Sequence, residues 1–153
     1  MIDEPQIVQT EAVRTAFIHV ITPREKIQEV MGPGYMEVME ALKAQGVTPA
    51  GPWFTHHLKM DPATFDFEIC VPVEAPVKPA GRVQAGQLEA RKVARTVYHG
   101  GYEGLSDGWV QFEDWIKKHG HAAAPDLWEI YTIGPESGPD SSKWQTVLNR
   151  PLK

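Results

Sequence analysis

Apolar and polar residues follow two kinds of pattern along this chain. Six segments have the length and the β-branched and aromatic content of strands, and glycine, proline or polar turn residues bound them. These are residues 12–21, 53–60, 64–73, 88–99, 127–133 and 143–152. Apolar residues at helical spacing predict one amphipathic helix after the first strand and another after the fourth. Their stripes are Tyr35, Val38 and Leu42, and Trp109, Phe112 and Ile116.

The ends of both helices carry recognisable signals. Gly46 and Gly120 each follow a stripe at the position of a C-terminal cap, where glycine takes up a left-handed conformation easily. A short helical turn over residues 24–31 precedes the first stripe, and Gly32-Pro33-Gly34 is expected to break or kink the helix between them.

The order strand, helix, strand, strand occurs twice. Residues 31–57 align without a gap with residues 105–131, and helix stripe, cap and strand keep register. The alignment pairs Tyr35 with Trp109, Leu42 with Ile116, Gly46 with Gly120, Thr55 with Glu129 and His57 with Tyr131.

The repeat predicts one domain over residues 1–153, with halves of about residues 6–73 and 87–152 and a Pro/Gly-rich connector at 74–86. The expected fold class is α+β. Two β-α-β-β repeats related by a pseudo-twofold axis would form an antiparallel sheet, with both helices on one side and a central cleft. Clefts between subdomains are favoured ligand sites.

One strand contains a carboxylate in apolar surroundings. Side chains alternate across a strand, so Glu129 and Tyr131 share a face in the run Leu127-Trp128-Glu129-Ile130-Tyr131. A buried carboxylate is costly unless it is paired, protonated or kept for a ligand. A carboxylate beside an aromatic ring suits a lipophilic cation. A structural ion pair, or an edge strand with Glu129 in water, is the alternative.

Composition excludes several classes of function. The net charge is -5, and no cluster of lysine and arginine is present, so nucleic acid is not expected as a partner. A single cysteine, Cys70, excludes an internal disulfide and suits the cytoplasm. No signal peptide or membrane span is recognised. His56-His57 and His119-Gly120-His121 lack converging partners, so neither metal nor cofactor is expected.

Several motifs in order resemble one family. Residues 99–105 resemble its H-x-G-x-Y-x-x-L signature with one position fewer, residues 128–131 its W-E-x-Y strand, and residues 65–73 its D-x-E-x-x-x-P-V strand. The ending over residues 145–152 is also similar, although Val147 stands where the family usually has glutamate. The chain is therefore similar to GyrI-like proteins, which include the effector-binding domains of AraC- and MerR-type regulators.

The resemblance implies two β-α-β-β units around a cleft for bulky, lipophilic or cationic molecules. It implies that Glu129 lies at the cleft floor as the charge anchor, with Tyr131 beside it. The expected ligand-binding residues are Glu129, Tyr131, Trp109, Tyr35, Phe112, His57 and Tyr98. Plain helix–sheet core is the alternative for Trp109, Phe112 and Tyr35, because aromatics at helical spacing are usually core.

The resemblance also orders the functions. A stand-alone small-molecule binding protein without a DNA-binding module is expected first, with a protein partner or homodimer left open. The first alternative is a hydrolase of cyclopropane-bearing genotoxins, in which Glu129 and Tyr131 would be catalytic. The second is protein interaction in the manner of a gyrase inhibitor, which the absence of a dense acidic run disfavours.

Overall fold

The computed structural model describes residues 1–153, with every side chain except that of Met60. Strands and helices alternate in the predicted order, and the strand pairs within each half are antiparallel, which confirms the α+β class. The elements are β1 Gln6–Gln9, β2 Val13–Pro23, α1 Ile27–Gln45, β3 Phe54–Met60, β4 Thr64–Pro72, β5 Gln84–Leu88, β6 Lys92–His99, α2 Leu105–Lys118, β7 Leu127–Ile133 and β8 Gln145–Pro151. None of the helices described is long and apolar enough to cross a membrane.

The chain forms two compact units with the same topology. The first unit is Glu11–Ala90, and the second combines Met1–Thr10 with Arg91–Lys153. Strand order is β3-β4-β2-β5 in the first unit and β7-β8-β6-β1 in the second. Each unit is thus a β-α-β-β repeat with one additional edge strand.

The additional strands explain why the units differ from the predicted halves. Strand β1 precedes β2 in the chain but pairs with β6, and β5 precedes β6 but pairs with β2. Each edge strand is therefore supplied by the segment that leads into the other unit. The predicted strand over residues 88–99 is divided between β5 and β6, and β5 begins inside the predicted connector.

Helix α1 covers one face of the first unit's strands. Alternate residues of β2 are buried beneath it, while His19 and Ile21 on the opposite face are exposed. The buried cluster contains Ala16, Ile18, Val20, Val38, Leu42, Phe67, Ile69 and Val71.

Helix α1 continues through Gly32-Pro33-Gly34, so the predicted break is wrong. Gly34 is buried where the helix crosses the sheet, and a methyl group on it would lie 3.2 Å from Ile18 Cδ1. The close approach that this glycine permits stabilises the helix by tertiary packing, which offsets the poor local propensity.

Helix α2 packs similarly in the second unit, over Ala94, Tyr98 and Leu148, through Phe112 and Ile116. The glycine-rich segment before it lies on the Tyr98 ring. Tyr98 donates a hydrogen bond to the Gly101 carbonyl at 2.7 Å, and a methyl group on Gly108 would lie 2.8 Å from the Tyr98 ring. Glycine is needed here because the backbone approaches this ring closely.

Candidate functional site

Glu129 lies in the middle of β7, on the face that α2 covers. Its side chain is 8% exposed. The indole Nε1 of Trp109, from α2, donates a hydrogen bond to Oε2 at 2.6 Å. The Tyr131 hydroxyl donates to Oε1 at 2.8 Å, across the i, i+2 spacing of the strand. Helix and strand therefore hold the carboxylate between two neutral donors.

No arginine, lysine or histidine among the described residues forms an ion pair with Glu129. The arginines of the second unit have other partners: Arg91 with Asp126, Arg95 with Asn149, and Arg150 with Glu113. Burial raises the pKa of Glu129, and its two hydrogen bonds oppose that shift only in part. Glu129 therefore fits neither alternative from the sequence, because it is not in an ion pair with any described residue and it does not lie in water.

Aromatic rings flank the carboxylate on both sides. Phe112 lies behind Trp109, with ring centres 5.6 Å apart. On the other side Tyr102 meets Tyr131 edge to face at 6.0 Å, and Trp144 lies 5.2 Å beyond Tyr102. The arrangement combines one negative charge with several ring faces, which is the chemistry that holds lipophilic cations.

Two of these rings were not among the residues expected from the sequence. Tyr102 belongs to the H-x-G-x-Y-x-x-L motif, so its motif position was an available signal. Trp144 directly precedes β8, and no periodicity marks it. Burial, followed by the charges of Glu136 and Glu129, raises the pKa of Tyr102 to about 12. The hydroxyl of Tyr102 therefore stays protonated at neutral pH.

Four of the expected residues share the second unit with Glu129. Trp109 and Tyr131 contact it directly. Phe112 is fully buried and braces Trp109, and Tyr98 is 5% exposed with its hydroxyl bonded to the loop before α2. These positions favour a structural role for Phe112 and Tyr98, and contact of either residue with a ligand stays a prediction.

Tyr35 and His57 belong to the first unit. The Tyr35 ring lies against Trp53, with centres 4.7 Å apart. His57 stacks on Phe67 at 5.1 Å, and its Nε2 lies 3.2 Å from Thr55 Oγ1. The other ring nitrogen, Nδ1, is buried without a hydrogen-bond partner among the described residues.

The alignment of the two repeats explains this second polar pair. Thr55 and His57 occupy β3 at the positions that Glu129 and Tyr131 occupy in β7, and in both pairs the side chains meet at i, i+2 spacing. The first unit thus retains the polar pair but carries no carboxylate at the equivalent position.

His57 should make folding stability depend on pH. Burial, together with the nearby His56 and Arg24, lowers the pKa of His57 from 6.5 to about 4. Between these values the unfolded chain binds the proton and the folded protein does not, so this contribution to stability is lost as the pH falls. We expect denaturant titrations of wild type and His57→Phe to diverge across this window, with the wild type losing more stability. Parallel pH profiles in the two proteins would contradict this expectation.

A separate cavity of about 280 Å³ opens in the first unit, on the sheet face opposite α1. Its lining includes Phe17, Phe54, His56, Glu68 and Cys70, and none of the expected ligand-binding residues. No three metal-ligating side chains converge within the described part of the chain.

The chain thus contains two β-α-β-β units, and one of them buries a carboxylate among aromatic rings. The family model for the GyrI-like small molecule binding domain matches residues 3–153. The chain therefore belongs to the GyrI-like family, as its motifs indicated. A comparison with curated proteins found no significant match.

Solved structures share the fold at low sequence identity. The C-terminal domain of EcmrR has a TM-score of 0.86 and 20% identity, over 98% of this chain and 97% of that one. EcmrR in its complex with DNA has a TM-score of 0.85 at 20% identity over 98% of this chain, which spans 57% of the EcmrR chain. SAV2435 bound to tetraphenylphosphonium has a TM-score of 0.66 and 12% identity, over 99% of this chain and 94% of that one. A hydrolase from Listeria innocua has a TM-score of 0.67 and 10% identity, over 98% and 92%.

Proposed function

We propose that this protein binds bulky lipophilic cations, with the Glu129 carboxylate as the charge anchor and Trp109, Tyr131 and Tyr102 as aromatic contacts. The observation that carries the proposal is the state of the carboxylate. It is buried, it accepts only neutral hydrogen bonds, and no described cationic side chain neutralises it.

The energetics favour a ligand that brings a positive charge. Removing a carboxylate from water costs free energy, which two neutral donors offset only in part. Each carboxylate oxygen can accept more than one contact, so a cation can approach while the Trp109 and Tyr131 hydrogen bonds remain. A cation without N–H groups gains from Coulomb attraction to Glu129 and from the faces of the surrounding rings.

One structural neighbour supports the choice of ligand class. SAV2435 has the same fold and is bound to tetraphenylphosphonium, a bulky lipophilic cation. At 12% identity the likeness concerns the fold, so the argument for this chain depends on Glu129 and its aromatic neighbours. The predicted cleft between the repeats, the contribution of Tyr35 and His57 to it, and a protein partner or homodimer stay predictions.

Tetraphenylphosphonium should bind, and tetraphenylborate, which has the same shape and the opposite charge, should not. The affinity for the cation should fall as the pH is lowered, because burial raises the pKa of Glu129 and protonation removes the anchoring charge. Calorimetric titration of both ions at several pH values measures these effects. Equal binding of the two ions, or an affinity for the cation that does not change with pH, would contradict the proposal.

The hydrolase alternative has one favourable observation. The Tyr131 hydroxyl and the Glu129 carboxylate are in direct contact, so a proton donor and a charge-stabilising group lie side by side. The same contact serves a passive anchor equally well, because the Tyr131 hydroxyl donates its hydrogen bond to Glu129 itself. Hydrolysis of cyclopropane-bearing compounds therefore ranks below binding.

A further inference from the structure

Three aromatic rings, those of Tyr131, Tyr102 and Trp144, are in consecutive contact and begin beside the buried carboxylate. Tyr131, which is bonded to Glu129, is 6% exposed. Tyr102 meets it edge to face, Trp144 follows, and both of these rings are partly exposed. This series of contacts therefore connects the site around Glu129 with two partly exposed rings.

A second carboxylate lies near Tyr102, the middle ring of this series. Glu136, in the loop between β7 and β8, is exposed, and its Oε1 accepts a hydrogen bond from the Gly134 backbone at 3.0 Å. A methyl group on Gly134 would lie 2.7 Å from the Tyr102 hydroxyl and 3.0 Å from Glu136 Oε2. The phenol and the second carboxylate thus approach the same point on the loop.

We propose that Trp144 and Glu136, with the Tyr102 ring shared between the two sites, form an outer station, a second contact site for lipophilic cations on the approach to Glu129. The proposal rests on the proposed function and adds residues that determine how fast a cation is captured. Partly exposed ring faces attract a cation. The exposed carboxylate raises the local cation concentration, which acts mainly on the association rate.

The two carboxylates should affect different rate constants of cation binding. Glu129 is buried and contacts the bound cation, so its charge should control dissociation. Glu136 is exposed and screened by salt, so its charge should control association. The charges of both carboxylates raise the pKa of Tyr102, so both carboxylates interact electrostatically with this side chain.

Glu136→Gln tests the station without removing the loop's hydrogen bond, because the amide oxygen can still accept from Gly134. Glu103→Gln is the matched control. Glu103 is an exposed carboxylate next to Tyr102 in the chain, but its charge raises the pKa of Tyr98, whereas the charges of Glu136 and Glu129 raise the pKa of Tyr102. Both substitutions change the net charge by the same amount.

Stopped-flow mixing with tetraphenylphosphonium, followed by tryptophan fluorescence, separates the two rates. At low salt we expect Glu136→Gln to reduce the association rate constant by about two- to five-fold, with dissociation unchanged and the difference lost at high salt. Glu103→Gln should resemble wild type. Tyr102→Leu should slow association less in the Glu136→Gln background than in wild type, because both residues act in one station.

Three results would overturn the outer station. They are equal association rates in Glu136→Gln and wild type, the same loss in both glutamine variants, and a loss that appears only in dissociation. The proposed function survives each of them if wild type binds the cation and Glu129→Gln weakens binding. If wild type does not bind tetraphenylphosphonium, the proposed function fails and the station fails with it.

Discussion

Replacing Glu129 by glutamine will weaken the binding of tetraphenylphosphonium by roughly ten- to a hundred-fold, or about 1–3 kcal/mol. The substitution removes the charge that accepts hydrogen bonds from Trp109 and Tyr131 and keeps the side chain's shape. The aromatic contacts remain, so neutral lipophiles should bind nearly as before. Calorimetric titration of the cation and of triphenylphosphine oxide, a neutral comparison, measures both effects.

The fold should persist in this variant. The glutamine oxygen can accept from Trp109, and its amino group can donate to the Tyr131 hydroxyl, which is able to accept. Because burial raises the pKa of Glu129, the folded protein holds a proton that the unfolded chain has released above the ordinary carboxyl pKa. Stability therefore falls as the pH rises through this range in wild type, and glutamine removes the loss. Weaker cation binding should accompany equal or higher stability at neutral pH.

Glu113→Gln is the control for this experiment. Glu113 is a partly exposed carboxylate of α2 in the same unit, and it pairs with Arg150 instead of facing Glu129. Cation affinity should be unchanged in this variant. Undiminished affinity in Glu129→Gln would remove the charge anchor from the proposed function.

Local periodicity explains what could be predicted at the site. The two-residue period of a strand depends only on the backbone, so the shared face of Glu129 and Tyr131 followed directly from the sequence. The alignment of the repeats similarly identified Thr55 and Glu129, and His57 and Tyr131, as equivalent sequence positions. The relation between Glu129 and Tyr131 lies within one short segment, where local geometry suffices, and the alignment compares two segments of this kind.

Contacts between residues far apart in the chain could not be predicted from local periodicity. The Trp109–Glu129 hydrogen bond depends on how α2 lies over β7, and the Tyr102–Trp144 contact joins two loops. Register and helix position set these distances, and neither follows from periodicity alone. The motif that contains Tyr102 marked the residue without indicating its partners.

The edge strands were missed for a different reason. Strands β1 and β5 are short and rich in glutamine and exposed residues, so they lack the apolar alternation of a core strand. Each is stabilised by pairing with a strand that lies far away in the chain. Short polar edges of this kind also discourage pairing with other molecules, which is a common property of edge strands.

Phe112→Ala will strongly destabilise the protein. The Phe112 side chain is fully buried in the cluster beneath α2, and it lies against Trp109. Truncating a buried phenylalanine costs about 3–5 kcal/mol, through lost burial and the cavity left behind. For a chain of this size the melting temperature should fall by roughly 10 °C. Thermal and denaturant unfolding measure the loss.

The same variant decides whether Phe112 is core or ligand wall, the two alternatives that helical spacing left open. If it is core, the folded fraction of Phe112→Ala should bind tetraphenylphosphonium within about three-fold of wild type, because the cation would not touch the missing ring. Phe112→Leu retains most of the volume and should recover most of the stability. Trp109→Phe provides the contrast, because it removes the donor to Glu129 Oε2 and should alter cation affinity directly. A Phe112→Ala protein that keeps its stability but loses the cation would instead make Phe112 part of the ligand wall.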